Sequence, residues 1–377
     1  MFCSRRRAAS VAAIAVCLAS LYVSPSVAGG GRSGAVGSVE VSTEGGLGRV
    51  DVKGDLAAVL QRDEGIVSLV DISDPSRMKV VGRFNDNARQ SLDGDIAFSH
   101  DGRWIFYARQ TVQFSLDGLH VLDVSDPAAP VRRFYQPGGG ALRVESYHDG
   151  TNEWVVLMDA ITGMVVYRFE PTSGILVPVH VSPLPLLKVG GPASAGIVIE
   201  KDPVLDKPLL YASTGRTGVE VFDFSDPTAP QLLGAWNDVG LAEIEVSSGG
   251  KQRLIYGATE YWFDKQQEPG VIVLDATKLD RIKRARVYSA GVDADDRLRV
   301  QGMTLDDGVV YAAHSELGVV AFRGRGVVRS LMPRQGDRNG GARVPLGKGV
   351  YAYDVEHSRG FLFVTDAATG RLTAVRL

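Results

Sequence analysis

A glycine followed by an apolar strand recurs seven times along the chain, and this repeat constrains the fold more than any other feature. The copies run Gly65-Ile-Val-Ser-Leu-Val-Asp71, Gly118-Leu-His-Val-Leu-Asp123, Gly163-Met-Val-Val-Tyr-Arg168, Gly218-Val-Glu-Val-Phe-Asp223, Gly270-Val-Ile-Val-Leu-Asp275, Gly318-Val-Val-Ala-Phe-Arg323 and Gly370-Arg-Leu-Thr-Ala-Val375. They are spaced by 53, 45, 55, 52, 48 and 52 residues. A second apolar strand lies ahead of the glycine, as in Trp104 to Ala108, Leu209 to Ala212 and Phe361 to Val364. A weaker strand stands further upstream, and a short one such as Lys79 to Phe84 or Gln231 to Trp236 follows. Each unit is therefore four strands.

Seven such units, with nothing helical beyond a turn around Ala276 to Arg281, predict an all-β fold: a seven-bladed β-propeller. The middle strands are continuous runs of Val, Ile and Leu, as expected of strands covered on both faces by neighbouring blades. The last unit ends seven residues after Gly370 and lacks an outer strand, while Ser38-Val-Glu-Val-Ser42 is a spare strand ahead of the first unit. Pairing the two would complete the seventh blade and hide a free edge, so residues 36–43 are expected to close the ring. The blades are predicted at about 47–84, 94–136, 141–182, 194–238, 241–290, 300–333 and 349–377, within one domain spanning 29–377.

Residues 1–28 read as a cleaved secretory signal: Arg5, Arg6 and Arg7 form a basic start, Ala8 to Val23 is apolar, and Ser26-Val27-Ala28 is a small-residue cleavage site. The apolar run is shorter than the roughly 20 residues a spanning helix needs. Cleavage would remove both cysteines, Cys3 and Cys17, leaving no disulfide and no thiol chemistry. It would also take the formal charge from -3 to -6, because three arginines leave with it. A mildly acidic chain is a poor fit to nucleic acid. The expectation is a monomer without a transmembrane segment in its mature form, secreted, periplasmic or at the cell surface.

One local motif follows the third strand in three units: Asp71-Ile-Ser-Asp-Pro75, Asp123-Val-Ser-Asp-Pro-Ala-Ala-Pro130 and Asp223-Phe-Ser-Asp-Pro-Thr-Ala-Pro230. On these residues the chain resembles the LVIVD-repeat propellers, exported or surface proteins of bacteria and archaea. By spacing the resemblance covers the whole mature chain, although units three, six and seven lack the motif and unit five keeps only Asp275-Ala-Thr-Lys278. Separately, Ile96-Ala-Phe-Ser-His-Asp-Gly-Arg-Trp104 in the second unit resembles the strand-turn-strand piece of TolB-type propellers, with His100 where Pro is usual. Neither resemblance implies a reaction. Asp, Ser and Pro at a strand end are turn formers, so the motif is read as structural.

Ligands on propellers sit where loops converge at the channel mouth, here the loops between second and third strands. The longest carries Glu260, Tyr261, Trp262 and Phe263, an aromatic patch suited to stacking on a sugar or packing on a protein. His314 and Glu316 form the one imidazole and carboxylate pair on that face, open to general acid/base work, with Arg109 or Arg216 as a partner for an anionic group. A lone His beside a Glu is more often a solvated hairpin tip. The inner strands contribute Asp51, Asp95, Glu145, Glu243, Glu245 and Asp354, several of which should face the channel if the register is right. Of these, Asp51, Glu145, Glu245 and Asp354 are candidate ligands for calcium or another divalent metal. No nucleophile elbow, phosphate-binding loop, dinucleotide fingerprint or His-Glu-x-x-His occurs. The reading is a non-catalytic binding module that needs no cofactor and takes a carbohydrate or protein at its loop face. The rival is a propeller hydrolase or lyase, lactonase-like or acting on polysaccharide, with its site at the channel mouth.

Overall fold

In each repeat the glycine turn reverses the chain between two β-branched runs, and four antiparallel strands result. The computed structural model describes residues 34–44, 46–62, 64–85, 91–111, 118–182, 195–214, 218–249, 252–259, 270–289, 300–315, 318–323, 342–344, 346 and 350–377. They form seven four-stranded sheets, a seven-bladed β-propeller. Six sheets take their strands in chain order, the innermost first. The first blade begins with inner strand Leu47–Lys53 and ends with outer strand Lys79–Asn85. The seventh holds Ala352–Ser358, Phe361–Asp366 and Arg371–Arg376, and its outer strand is Ala35–Glu40 from the other end of the chain. Ser38 pairs with Thr373 and Val39 with Leu372, which closes the ring as the spare strand implied.

Seven separate apolar clusters hold the ring together, one at each seam between neighbouring blades. Leu60, Leu69, Ile96 and Ile105 join blades one and two, for example, while Val50, Val59, Phe363 and Leu372 join seven and one. Every blade is thus stabilised mainly by its two neighbours, in the manner of repeat proteins. Six of the seven glycines that open third strands have φ between 64° and 159°, a region where a side chain is strained. That torsion explains why glycine marks the repeat.

Two boundaries differ from the sequence expectation. The sixth blade reaches Val344, because its outer strand is Ala342–Val344 rather than a segment ending near 333. Three residues carry no alternation to read. The second strand of blade two continues to Thr111, so Arg109 pairs with Gly118 inside the sheet. The turn foreseen near Ala276 is a short 3-10 helix, Leu279–Arg281. Among the described residues no helix is long and apolar enough to cross a membrane.

Candidate functional site

The inner strands run down the ring axis from the loop face, and every second residue points into the channel. Register places Arg49, Asp95, Arg143, Glu243 and Asp354 on one level, with Gly196 and Gly302 at the equivalent places. Two residues further along, Asp51, Glu145, Glu245 and Glu356 form a second level with Ala97, Val198 and Thr304. Six of these acids are the ones the sequence reading listed, several of them expected to face the channel. It missed Arg49, Arg143 and Glu356, although the same alternation at 49/51, 143/145 and 354/356 carried the signal.

The first level is a buried charge network that spans the channel. Arg49 Nη1 of blade one lies 2.7 Å from Glu243 Oε2 of blade five and 3.6 Å from Asp354 Oδ1 of blade seven. Arg143 Nε of blade three reaches the same Glu243 oxygen at 3.6 Å. Blades one and five stand on opposite sides of a seven-membered ring, so the Arg49–Glu243 pair crosses the axis. Both arginines and Asp354 are buried, and removing one partner would leave an uncompensated charge in a low dielectric.

Several channel carboxylates are committed to blade-to-blade hydrogen bonds. Val50 N donates to Asp354 Oδ2 at 2.9 Å, Phe98 N to Asp51 Oδ2 at 2.6 Å and Val144 N to Asp95 Oδ2 at 3.0 Å. In each case an inner strand binds the acid of the preceding blade. Ser248 Oγ does the same for Glu200. Burial pushes Asp95 up to about 7, with Glu243 adding to the rise, and pushes Asp354 up to about 6. Burial also raises Asp51 and, more strongly, Glu145, Glu245 and Glu356, each of which has other carboxylates as neighbours. The metal candidates Asp51, Glu145, Glu245 and Asp354 do share the channel. Among the described residues, however, no three imidazoles or carboxylates converge closely enough to hold a metal ion.

The loop-face candidates fare differently. His314 stands at the end of the hairpin but is fully buried rather than solvated. Its N–H donates to Gly318 O at 2.7 Å, and Ser315 O accepts from Ala352 N of blade seven at 2.9 Å, which draws the turn into the seam between blades six and seven. Arg109 is likewise a buried strand residue, not an exposed loop group. It lies near His120, whose pKa burial takes down to about 3 with help from Arg109 and Arg132. His120 stacks between Tyr107 and Tyr135, a packing role. Glu316, Arg216, Glu260, Tyr261 and Trp262 lie outside the described residues.

The motif aspartates build turns. Asp71 Oδ1 accepts from Ser73 N and Oγ at 3.0 and 2.6 Å, and Asp74 Oδ1 accepts from Ser76 N and Oγ at the same distances. Asp123 and Asp126 repeat this with Ser125 N and Ala128 N, and Asp223 and Asp226 with Ser225 N and Thr228 N. Two consecutive Asx turns account for the spacing of Asp, Ser and Asp. The outcome is a rigid bend from third to fourth strand.

On the face away from the loops, a cleft of about 210 Å³ opens between blades two and three, lined by His100, Trp104, His148, Glu153, Arg168 and Glu170 among others. The two imidazoles stack at 4.6 Å. Gly150 N donates to His148 Nδ1 at 3.0 Å. That bond occupies the Nδ1 lone pair.

Comparison with known proteins agrees with this architecture. Residues 44–86 and 112–134 match the LVIVD repeat. No curated protein matches the chain. Among solved structures, Sqt1 of Saccharomyces cerevisiae aligns with a TM-score of 0.57 at 9% identity, over 92% of this chain and 100% of that one. Raptor of Chaetomium thermophilum aligns with a TM-score of 0.57 at 12% identity, over 91% of this chain and 29% of that one. At such identities the likeness concerns the fold alone. The chain is a seven-bladed β-propeller that carries LVIVD repeats in its first two blades.

Proposed function

We propose that the chain is an exported, non-catalytic binding module that presents its loop face to a carbohydrate or protein partner. The observation that carries this reading is the commitment of the axial groups: the Arg49–Glu243 pair bridges the channel, and Asp51, Asp95 and Asp354 fasten one blade to the next. Groups held in this way build a scaffold. Recognition then falls to the loop face, for which the sequence Glu260 to Phe263 offers aromatic side chains for stacking. Retention of the purified chain on immobilised neutral and acidic glycans, and cross-linking to envelope proteins, tests the reading. Replacing Tyr261 and Trp262 by Ala is expected to lower retention at least tenfold with an unchanged melting temperature. Retention that survives the double substitution would remove the loop face from the proposal.

A further inference from the structure

Blade five departs from the charge pattern of its relatives. In blade one Lys79 reaches Asp71 at 3.3 Å, in blade two Arg133 reaches Asp123 at 3.2 Å, and in blade four Lys207 pairs with Asp223. In each of these blades a basic residue thus pairs with the motif's first Asp. Blade five holds Lys278 where the motif has its second Asp, and follows it with Arg281, Lys283, Arg284 and Arg286. Lys283 stands opposite Asp275 in the register that Lys79 and Asp71 share. Nevertheless, Lys278, Arg281, Lys283 and Arg284 make no ion pair among the described residues, and all are exposed. Arg286 lies over the Tyr288 ring at 4.9 Å. Asp280 is the one carboxylate in the stretch, so nine residues carry a net +4 on a chain whose formal charge is -3.

We infer that the outer edge of blade five, from Lys278 to Arg286, is a docking strip for an acidic polysaccharide. The inference extends the binding-module reading to a surface separate from the loop face. Lys278 and Arg281 lie in the turn and 3-10 helix that lead into the outer strand, and Lys283, Arg284 and Arg286 follow on it across a β-bulge, so that five cations fall within nine residues of one edge, suited to a thin polymer that carries carboxylates or sulfates along its length. The flanking surface argues against other polyanions. Tyr288 is buried, so no aromatic platform awaits an unstacked base, and the strip itself has no exposed large apolar side chain among the described residues, with only Val287 next to it, too little to anchor in a bilayer. A broad polyanion would also press against the acidic remainder of the molecule, whereas a single polymer chain need touch only this edge.

Retention of the full chain on immobilised polygalacturonate and heparin, with phosphatidylglycerol vesicles, duplex DNA and neutral dextran alongside, tests the strip. Binding to the two acidic polysaccharides is expected to be lost by about 0.5 M salt. The variant Arg281→Ser/Lys283→Ser/Arg284→Ser should bind them at least tenfold more weakly at an unchanged melting temperature, and Asp280→Asn should bind them more tightly. Equal retention of the triple variant, or stronger binding of the native chain to vesicles or DNA than to polygalacturonate, overturns the inference. Tyr261→Ala/Trp262→Ala serves as the separate control: the strip stands if that variant keeps its acidic-polysaccharide binding, and it falls if binding is lost there while the triple variant retains it.

Discussion

Replacing Gly82 by Ala should destabilise the propeller by about 3 kcal/mol in urea titration, as much as truncating a core side chain. Gly82 lies in the outer strand of blade one, beside the β-bulge between Leu69 and Val70. The Pro127 carbonyl of blade two's motif turn rests directly on it, and an added methyl group would collide with that carbonyl oxygen. The obstacle is backbone, fixed by the two Asx turns, so neither partner can step aside cheaply. The same contact recurs where the Leu279 carbonyl of blade five meets Gly234 of blade four, and where the Pro75 carbonyl meets Gly37 of the ring-closing strand. Gly234→Ala is therefore expected to match Gly82→Ala. Gly54→Ala is the control: its φ is 60° but nothing lies within 4 Å of the new group, so only the torsional cost of about 1 kcal/mol remains. If Gly82→Ala costs no more than Gly54→Ala, the motif turn is not a seam contact.

That contact shows where legibility in the sequence ends. The fold could be read because the repeats carry their own signals: a glycine before a buried strand in all seven, six of those glycines at positive φ, and Asp-x-Ser-Asp-Pro as a double turn in three. Ring closure was legible from a missing strand at one end and a spare one at the other. What no local pattern conveys is which groups meet across the ring. Arg49 and Glu243 are 194 residues apart in sequence and pair only because blades one and five face each other. Gly82 looks like an ordinary glycine until the neighbouring blade's proline carbonyl is laid upon it. His314 failed for the opposite reason, since its local pairing with Glu316 was read without the seam to blade seven that buries it. The unpaired cations of blade five were in plain view, yet they stand out only once their counterparts in blades one, two and four are seen to pair with the motif's first Asp.

The melting temperature should be highest near pH 4 and fall as the pH is raised to 8, contrary to the usual optimum close to neutrality. The sign follows from the direction of the shifts in the channel. A carboxyl whose folded pKa is raised contributes nothing unfavourable while both states are protonated, and its cost accrues as the pH passes from the unfolded value to the folded one. For Asp95 that window runs from 3.8 to about 7, and for Asp354 from 3.8 to about 6. Each pH unit within such a window costs ~1.4 kcal/mol per group before coupling and partial hydration reduce it. Asp123 acts in the opposite sense: its bonds to Ser125, Arg133 and Arg103 hold it at about 2, so its contribution is complete above 3.8 and is lost only on strong acidification. Stability should therefore peak between the two windows. Glu245→Gln isolates the channel's share, because it removes one charge from a level holding Asp51, Glu145 and Glu356 but no cation among the described residues. Nothing described donates a hydrogen bond to Glu245, so the amide forfeits no partner. At pH 8 the variant should be more stable than the native chain by about 1–2 kcal/mol, and at pH 4 the two should melt together. A native melting temperature that rises steadily to pH 8, with Glu245→Gln neutral or destabilising there, would mean that the four facing carboxylates are solvated well enough to ionise freely.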